Sequence, residues 1–240
     1  ADDVQIQAAW DAMTAAGIVG TVQLSEGTFT LAASINREHQ PHSLIGQGRY
    51  STILTLVNGV DDDVIKDDGT AVFGGLIAHL GIDGNSAGQT AGHGIHLSNT
   101  WDVLVDDVSI TDCKQHGFYN EGASRSTLRD SWIRLNKGVG LFVDTDVDGF
   151  IALNCWIGDN GTVGGTFSAD SGTTMSTAAN VALTGASAVS LIGNIIFQPG
   201  GGGGAAAGVN VLINTSTYVI ITGGTIFSAP EEQLLIGGHT

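Results

Sequence analysis

Three stretches of this chain, "HGIHLSN", "HGFYNEG" and "VGLFVDT", begin at His93, His116 and Val139, 23 residues apart, and carry Gly94, Gly117 and Gly140 at their second position. The match extends well past the glycine: Val105 falls on Leu128, Asp107 on Asp130, Ile110 on Ile133 and Lys114 on Lys137. After one inserted residue, "DSWIRLN" (130–136) meets "NCWIGDN" (154–160). A repeat in the twenties marks a solenoid, whose coils pack only on their neighbours. Each coil holds short runs alternating at period two, divided by Gly, Asn, Asp or Ser, which are strand and corner signals. Helical spacing is absent from these repeats. The pattern therefore predicts an all-β, right-handed parallel β-helix in which residues one period apart form columns ~4.8 Å per step.

The first residues break the rule. "DVQIQAAWDAMTAA" (3–16) sets Ile6, Trp10 and Met13 on one helical face, with Asp2 or Asp3 as cap and Gly17 as stop. Such a helix would cover the raw strand edges of the first coil. We expect one domain over 1–240: a capping helix to residue 17, first coils over 20–75, regular coils over 76–228, and an uncapped end at 229–240. That end would suit a downstream domain or oligomerisation. "GGGGGAAAG" (200–208) reads as a flexible loop or a place of close packing.

Charge narrows the partners. With 8 Lys plus Arg against 24 Asp plus Glu, the net charge is −16, which repels nucleic-acid phosphates. No apolar run reaches the ~20 residues of a membrane span. Cys113 and Cys155 are either a pair or two buried small hydrophobes. "DTDVDG" (144–149) begins like an EF-hand loop, but position twelve is Cys155 rather than Glu and the flanks are strands. No cofactor is expected, with a looser calcium site there left as the alternative.

The opening "DDVQIQAAWDAM", "GTVQLSEGTFTL" and "SLIGQGRYSTIL" resembles the pectate-lyase-like right-handed β-helix proteins. The residues that carry the resemblance are Gly20 to Val22, Gly27 to Phe29 and Gly46 to Gly48. That superfamily contains polysaccharide lyases, rhamnogalacturonase-like enzymes, epimerases and phage tailspikes. The resemblance implies a polysaccharide ligand, an extracellular or virion location, and a homotrimer in the manner of tailspikes. The catalytic signatures of these enzymes do not carry over. "GHG" (92–94) precedes "NTW" (99–101) and "DD" (106–107), the reverse of the polygalacturonase order, and no Arg-Ile-Lys follows.

If Ile95, Phe118 and Leu141 point inward, alternation turns His96, Tyr119 and Phe142 outward as an aromatic column for sugar rings. Glu121 and Asp144 follow two positions later as carboxylates about one coil apart, near the ~5 Å of retaining glycosidases. His116 is a candidate acid or base. Lys114, Arg134 and Lys137 belong to a cluster of five cations over 114–137 that would receive an anionic polysaccharide. Arg125 and Arg129 are expected to pair across coils with aspartates instead. Two functions compete: an enzyme cleaving an acidic polysaccharide by lysis or hydrolysis, and a non-catalytic glycan-binding or scaffold module, in which the same columns are structural.

Overall fold

The computed structural model describes residues 1–37, 41–67, 72–122, 124–161, 167–168, 174–175, 178–197, 208–227 and 234–237. The chain winds through three parallel sheets of eight strands each. The first sheet runs from Thr21–Gln23 to Ile220–Thr222 and includes Leu104–Asp106 and Thr127–Arg129. The second runs from Gly27–Leu31 to Thr225–Phe227 and includes Ser109–Thr111, Trp132–Arg134 and Trp156–Gly158. The third runs from Ile35–Arg37 to Leu234–Gly237 and includes Ile65–Asp67, Ile95–Ser98, Phe118–Glu121 and Leu141–Val143. Each coil visits the sheets in that order. The terminal segment expected to be uncapped thus adds Leu234–Gly237 to the third sheet, pairing with Gly208–Asn214.

The inferred register is the observed one. Ile95 pairs with Phe118 and Phe118 with Leu141, Val105 with Leu128, and Ile110 with Ile133. These side chains are buried in one continuous apolar core. The period does not persist. Leu141 pairs with Val181, 40 residues on, and Val181 with Val211, 30 on. Val143 likewise pairs with Leu183 and Leu183 with Ile213, so the inward register is kept across these longer coils. The glycine-rich stretch 200–207 lies outside the described residues.

Helix α1 (Asp2–Ala15) covers the first coil, burying Ile6 and Trp10, and Gly17 just beyond its end has φ +64°. The expected aspartate cap is not made: Ala1 is the N-cap, without a side-chain hydrogen bond. Asp2 and Asp3 instead accept from the N–H groups of Thr30 and Ala32 at 2.6 and 2.9 Å. These carboxylates tie the lid to the second sheet, which serves the exposed strand edge better than the helix end.

The repeated glycines have a packing cause. A Cβ on Gly117 would stand 2.6 Å from the Asn136 Nδ2, and one on Gly140 would stand 2.4 Å from the Asn160 Nδ2. Those amides belong to a buried ladder. Asn136 donates to Asn160 at 2.9 Å, Asn160 to Asn180 at 3.0 Å and Asn180 to Asn210 at 2.8 Å. Cys113 occupies the equivalent place one coil before Asn136, donating its N–H to the Asn136 Oδ1 at 3.0 Å. Both cysteines are free and buried, so the hydrophobe alternative holds and the pairing does not.

Candidate functional site

Where the chain turns from the third sheet to the first, a cleft of about 740 Å³ opens between coils. Ser98, Asn99, Trp101, Glu121, Gly122, Ser124, Asp144, Thr145 and Asp146 line it. Its geometry follows from the corner. Asn99, Gly122 and Asp146 take φ values of +49°, +68° and +64°, a left-handed bend that Asn, Gly and Asp tolerate best. The bend places Ser98 and Glu121, paired in register, on the rim beside Trp101. Trp101 stacks on Phe73 with ring centres 4.8 Å apart and planes 16° apart, and Phe73 is 60% exposed.

Behind the cleft lies a charged relay. His96 Nδ1 is 3.0 Å from the Asp63 Oδ2 and its Nε2 is 3.3 Å from the Glu121 Oε2. Burial alone would lower the His96 pKa, but hydrogen bonds to Asp63 and Glu121, together with their charges, outweigh it and raise the pKa to about 9. His96 is therefore an imidazolium held between two carboxylates at neutral pH. Because its folded pKa exceeds the ordinary ~6.5, this contribution is complete below about pH 6.5 and lost as pH rises through about 9. His96→Gln should remove a stability difference of at most about 3 kcal/mol that fades over that window. Denaturant titrations of both proteins at pH 6, 7.5 and 9 check it, and a pH-independent difference would contradict the relay.

Asp144 is fully buried. It accepts from the Tyr119 hydroxyl at 2.9 Å and from the Thr145 N–H and O–H at 2.7 and 3.0 Å. The expected carboxylate pair thus lines one cleft, with Glu121 the more accessible member.

Two expectations need correction. Tyr119 and Phe142 do leave the helical core, but they are 3% and 0% exposed and pack with Val139, Ala179 and Ala182. Alternation sets the direction of a side chain, not whether something covers it, so these rings offer no face to a sugar. His116 is 2% exposed, and burial, followed by the His96 charge, pushes its pKa to about 3. Its Nδ1 accepts the Val139 N–H at 3.0 Å, just as His93 Nδ1 accepts the His116 N–H at 3.1 Å. It is a neutral ladder residue rather than an acid or base near pH 7. The cations of 114–137 do not converge on this cleft. Arg134 and Lys137 line a separate cleft on the second sheet, and Lys114 reaches the Ser86 carbonyl at 3.5 Å. Arg125 and Arg129 grip Asp102 and Asp106 in two-pronged pairs of 2.7–2.9 Å, the cross-coil pairing expected of them.

Sequence reasoning missed Trp101, Phe73 and Asp63. Trp101 stands in "NTW" (99–101), and Asp63 in the acidic stretch "DDDVIKDDG" (61–69), which on sequence invites a calcium reading. Among the described residues, no group of three or more His, Cys, Asp or Glu side chains is arranged to hold a metal ion. No helix among the described residues is long and apolar enough to cross a membrane.

The family described as right-handed β-helix region matches residues 64–226. The chain belongs to the right-handed β-helix family. Among solved structures, it is similar to the A-module of the mannuronan C-5 epimerase AlgE6 from Azotobacter vinelandii. The TM-score is 0.63 at 19% identity, over 98% of this chain and 71% of that one. It is also similar to ORF18 of Geobacillus virus E2, with TM-score 0.65 and 15% identity over 98% and 56% of the two chains. A third is tailspike protein 2 of bacteriophage CBA120, with TM-score 0.62 and 11% identity over 99% and 43%. At these identities the likeness is one of fold. No curated protein sequence matches the chain.

Proposed function

We propose that this β-helix binds a neutral oligosaccharide in the Trp101–Glu121 cleft and works as a glycan-directed module outside the cell or on a virion. One observation carries this reading: an aromatic face and several carboxylates line a single cleft. The apolar C–H face of a pyranose stacks on an indole, and its hydroxyls donate to carboxylates in charge-assisted bonds. Among the described residues, Glu121, Asp144 and Asp146 line the cleft and no Lys or Arg does, so an anionic chain is repelled there. The same fact opposes lysis, which needs a cation to neutralise the uronate beside the abstracted proton. The fold relatives support only the glycan-directed part of this reading, one being named a mannuronan C-5 epimerase and another a tailspike. Assembly as a homotrimer, measurable by light scattering, belongs to the same proposal.

Hydrolysis in the same cleft is a second reading, favoured because Glu121 and Asp144 both line it. Asp144 is fully buried and already accepts three hydrogen bonds. Glu121 is therefore the residue placed to exchange a proton with a glycosidic oxygen. A panel of neutral and acidic polysaccharides, followed by reducing-end release and by absorbance of unsaturated products, separates the readings. Hydrolysis requires reducing ends from a neutral glycan, cut at least ~100-fold by Glu121→Gln with binding retained. Binding without any product identifies a non-catalytic module. Unsaturated products from an acidic polysaccharide would overturn both.

A further inference from the structure

The second sheet carries an aromatic ladder on its outer face that the function above does not use. Tyr50, Trp132, Trp156 and Phe197 follow one another with ring centres 6.1, 4.6 and 5.5 Å apart. Tyr50 is 64% exposed and Trp156 is 38% exposed. Trp132 pairs in register with Ser109 on the preceding coil and Trp156 on the next. The small Ser109 leaves a step beneath the indole. That step is part of a cleft of about 490 Å³ lined by Tyr50, Trp132, Arg134, Leu135 and Lys137, among others.

The charge of this place is unusual for the molecule. Of only 8 Lys and Arg in the chain, three meet here: Arg134 and Lys137 line the cleft, and the Arg49 guanidinium lies 5.0 Å from the Trp132 ring centre. Their carboxylate contacts are loose. Arg134 stands 3.8 Å from Asp159, Lys137 3.6 Å from Asp112 and Arg49 3.3 Å from Asp107. The two-pronged pairs of Arg125 and Arg129 close to 2.7–2.9 Å. The Arg134 Nε is buried and has no hydrogen-bond partner among the described residues. The Arg134 side chain as a whole is 40% exposed, so a sugar carboxylate can reach its guanidinium.

We propose that this face is a second saccharide site, which takes a carboxylate-bearing sugar stacked on Trp132 and held by Arg134 and Lys137. Indole supplies the apolar platform, and the cations supply charge-assisted hydrogen bonds to the sugar carboxylate. The site lies on a different sheet from the Trp101 cleft and prefers the opposite ligand charge. The two proposals therefore stand or fall separately.

Short oligogalacturonate, with a galacto-oligosaccharide of equal length as neutral counterpart, tests it by calorimetry and tryptophan fluorescence on the whole chain. Oligogalacturonate should bind and the neutral chain should bind at least ~10-fold more weakly. Raising salt should weaken the acidic ligand selectively. Trp132→Ala should cost at least ~10-fold in affinity. Arg134→Gln should erase the preference for the acidic chain. Should Trp132→Ala fail to fold, Tyr50→Ala, at an exposed position, serves as the second ring variant and should weaken the same binding. No binding of oligogalacturonate, equal binding of both sugars, or binding lost in Trp101→Ala but kept in Arg134→Gln would each overturn the proposal.

Discussion

Asn160→Ala is expected to destabilise the chain by about 4 kcal/mol, the largest effect of any single substitution considered. The side chain is fully buried. Its Oδ1 accepts from the Asn136 N–H and Nδ2 at 3.2 and 2.9 Å. Its Nδ2 donates to the carbonyls of Ile133 and Gly158 at 3.0 and 2.9 Å, and to the Asn180 Oδ1. Truncation strands buried partners on two coils at once, each with a desolvation penalty of about 1 kcal/mol or more. The ladder polarises along its length, so a central rung matters more than its own bonds suggest. Denaturant unfolding should show a lower midpoint with an unchanged slope, and the melting temperature should fall by roughly 10 °C. A loss below about 1 kcal/mol would mean that the ladder is decoration.

Gly117→Ala should follow at about 3 kcal/mol through a steric route. Its new Cβ would meet the Asn136 Nδ2 and the Ile133 Cγ2, both at 2.6 Å, and the Gly140 carbonyl at 2.9 Å. None of these can retreat: the amide is bonded on both sides and the carbonyl accepts the Phe118 N–H at 2.8 Å. Gly122→Ala is the contrast. It meets nothing nearer than 3.8 Å and suffers only from its φ of +68°, a cost of about 1 kcal/mol. Thermal unfolding of both variants should rank them in that order. The reverse order would show that backbone conformation, and not close approach, selects the repeated glycine.

The two substitutions explain what the sequence made legible. The 23-residue period of Gly94, Gly117 and Gly140 exists because one packing problem recurs on each coil, so reading the period meant reading the fold and its register. The inward set Ile95, Phe118 and Leu141 followed from alternation, which is a property of the strand itself. The site was less legible because its properties are set by neighbours remote in sequence. Phe142 alternates outward as inferred, yet it is buried against Ala179 and Ala182 from an adjoining coil. His116 reads as a titratable corner until the Val139 N–H is found on its ring. Glu121 and Asp144 were found together because both lie on the register, whereas Asp63 reaches His96 from 33 residues away. Trp132 and Trp156 were visible as a matched pair of repeats, but only the chain path shows that they stand on a different sheet from the residues of the first cleft.

The Trp101–Glu121 cleft, proposed as a saccharide site, is tested most directly by binding. A glycan array on the whole chain selects a neutral oligosaccharide, and calorimetry then compares the chain with Trp101→Ala. Measurable binding of that neutral ligand is expected, weakened at least ~10-fold when the indole is removed, with the fold intact by circular dichroism. Binding of no neutral glycan, or equal binding by the variant, would contradict it.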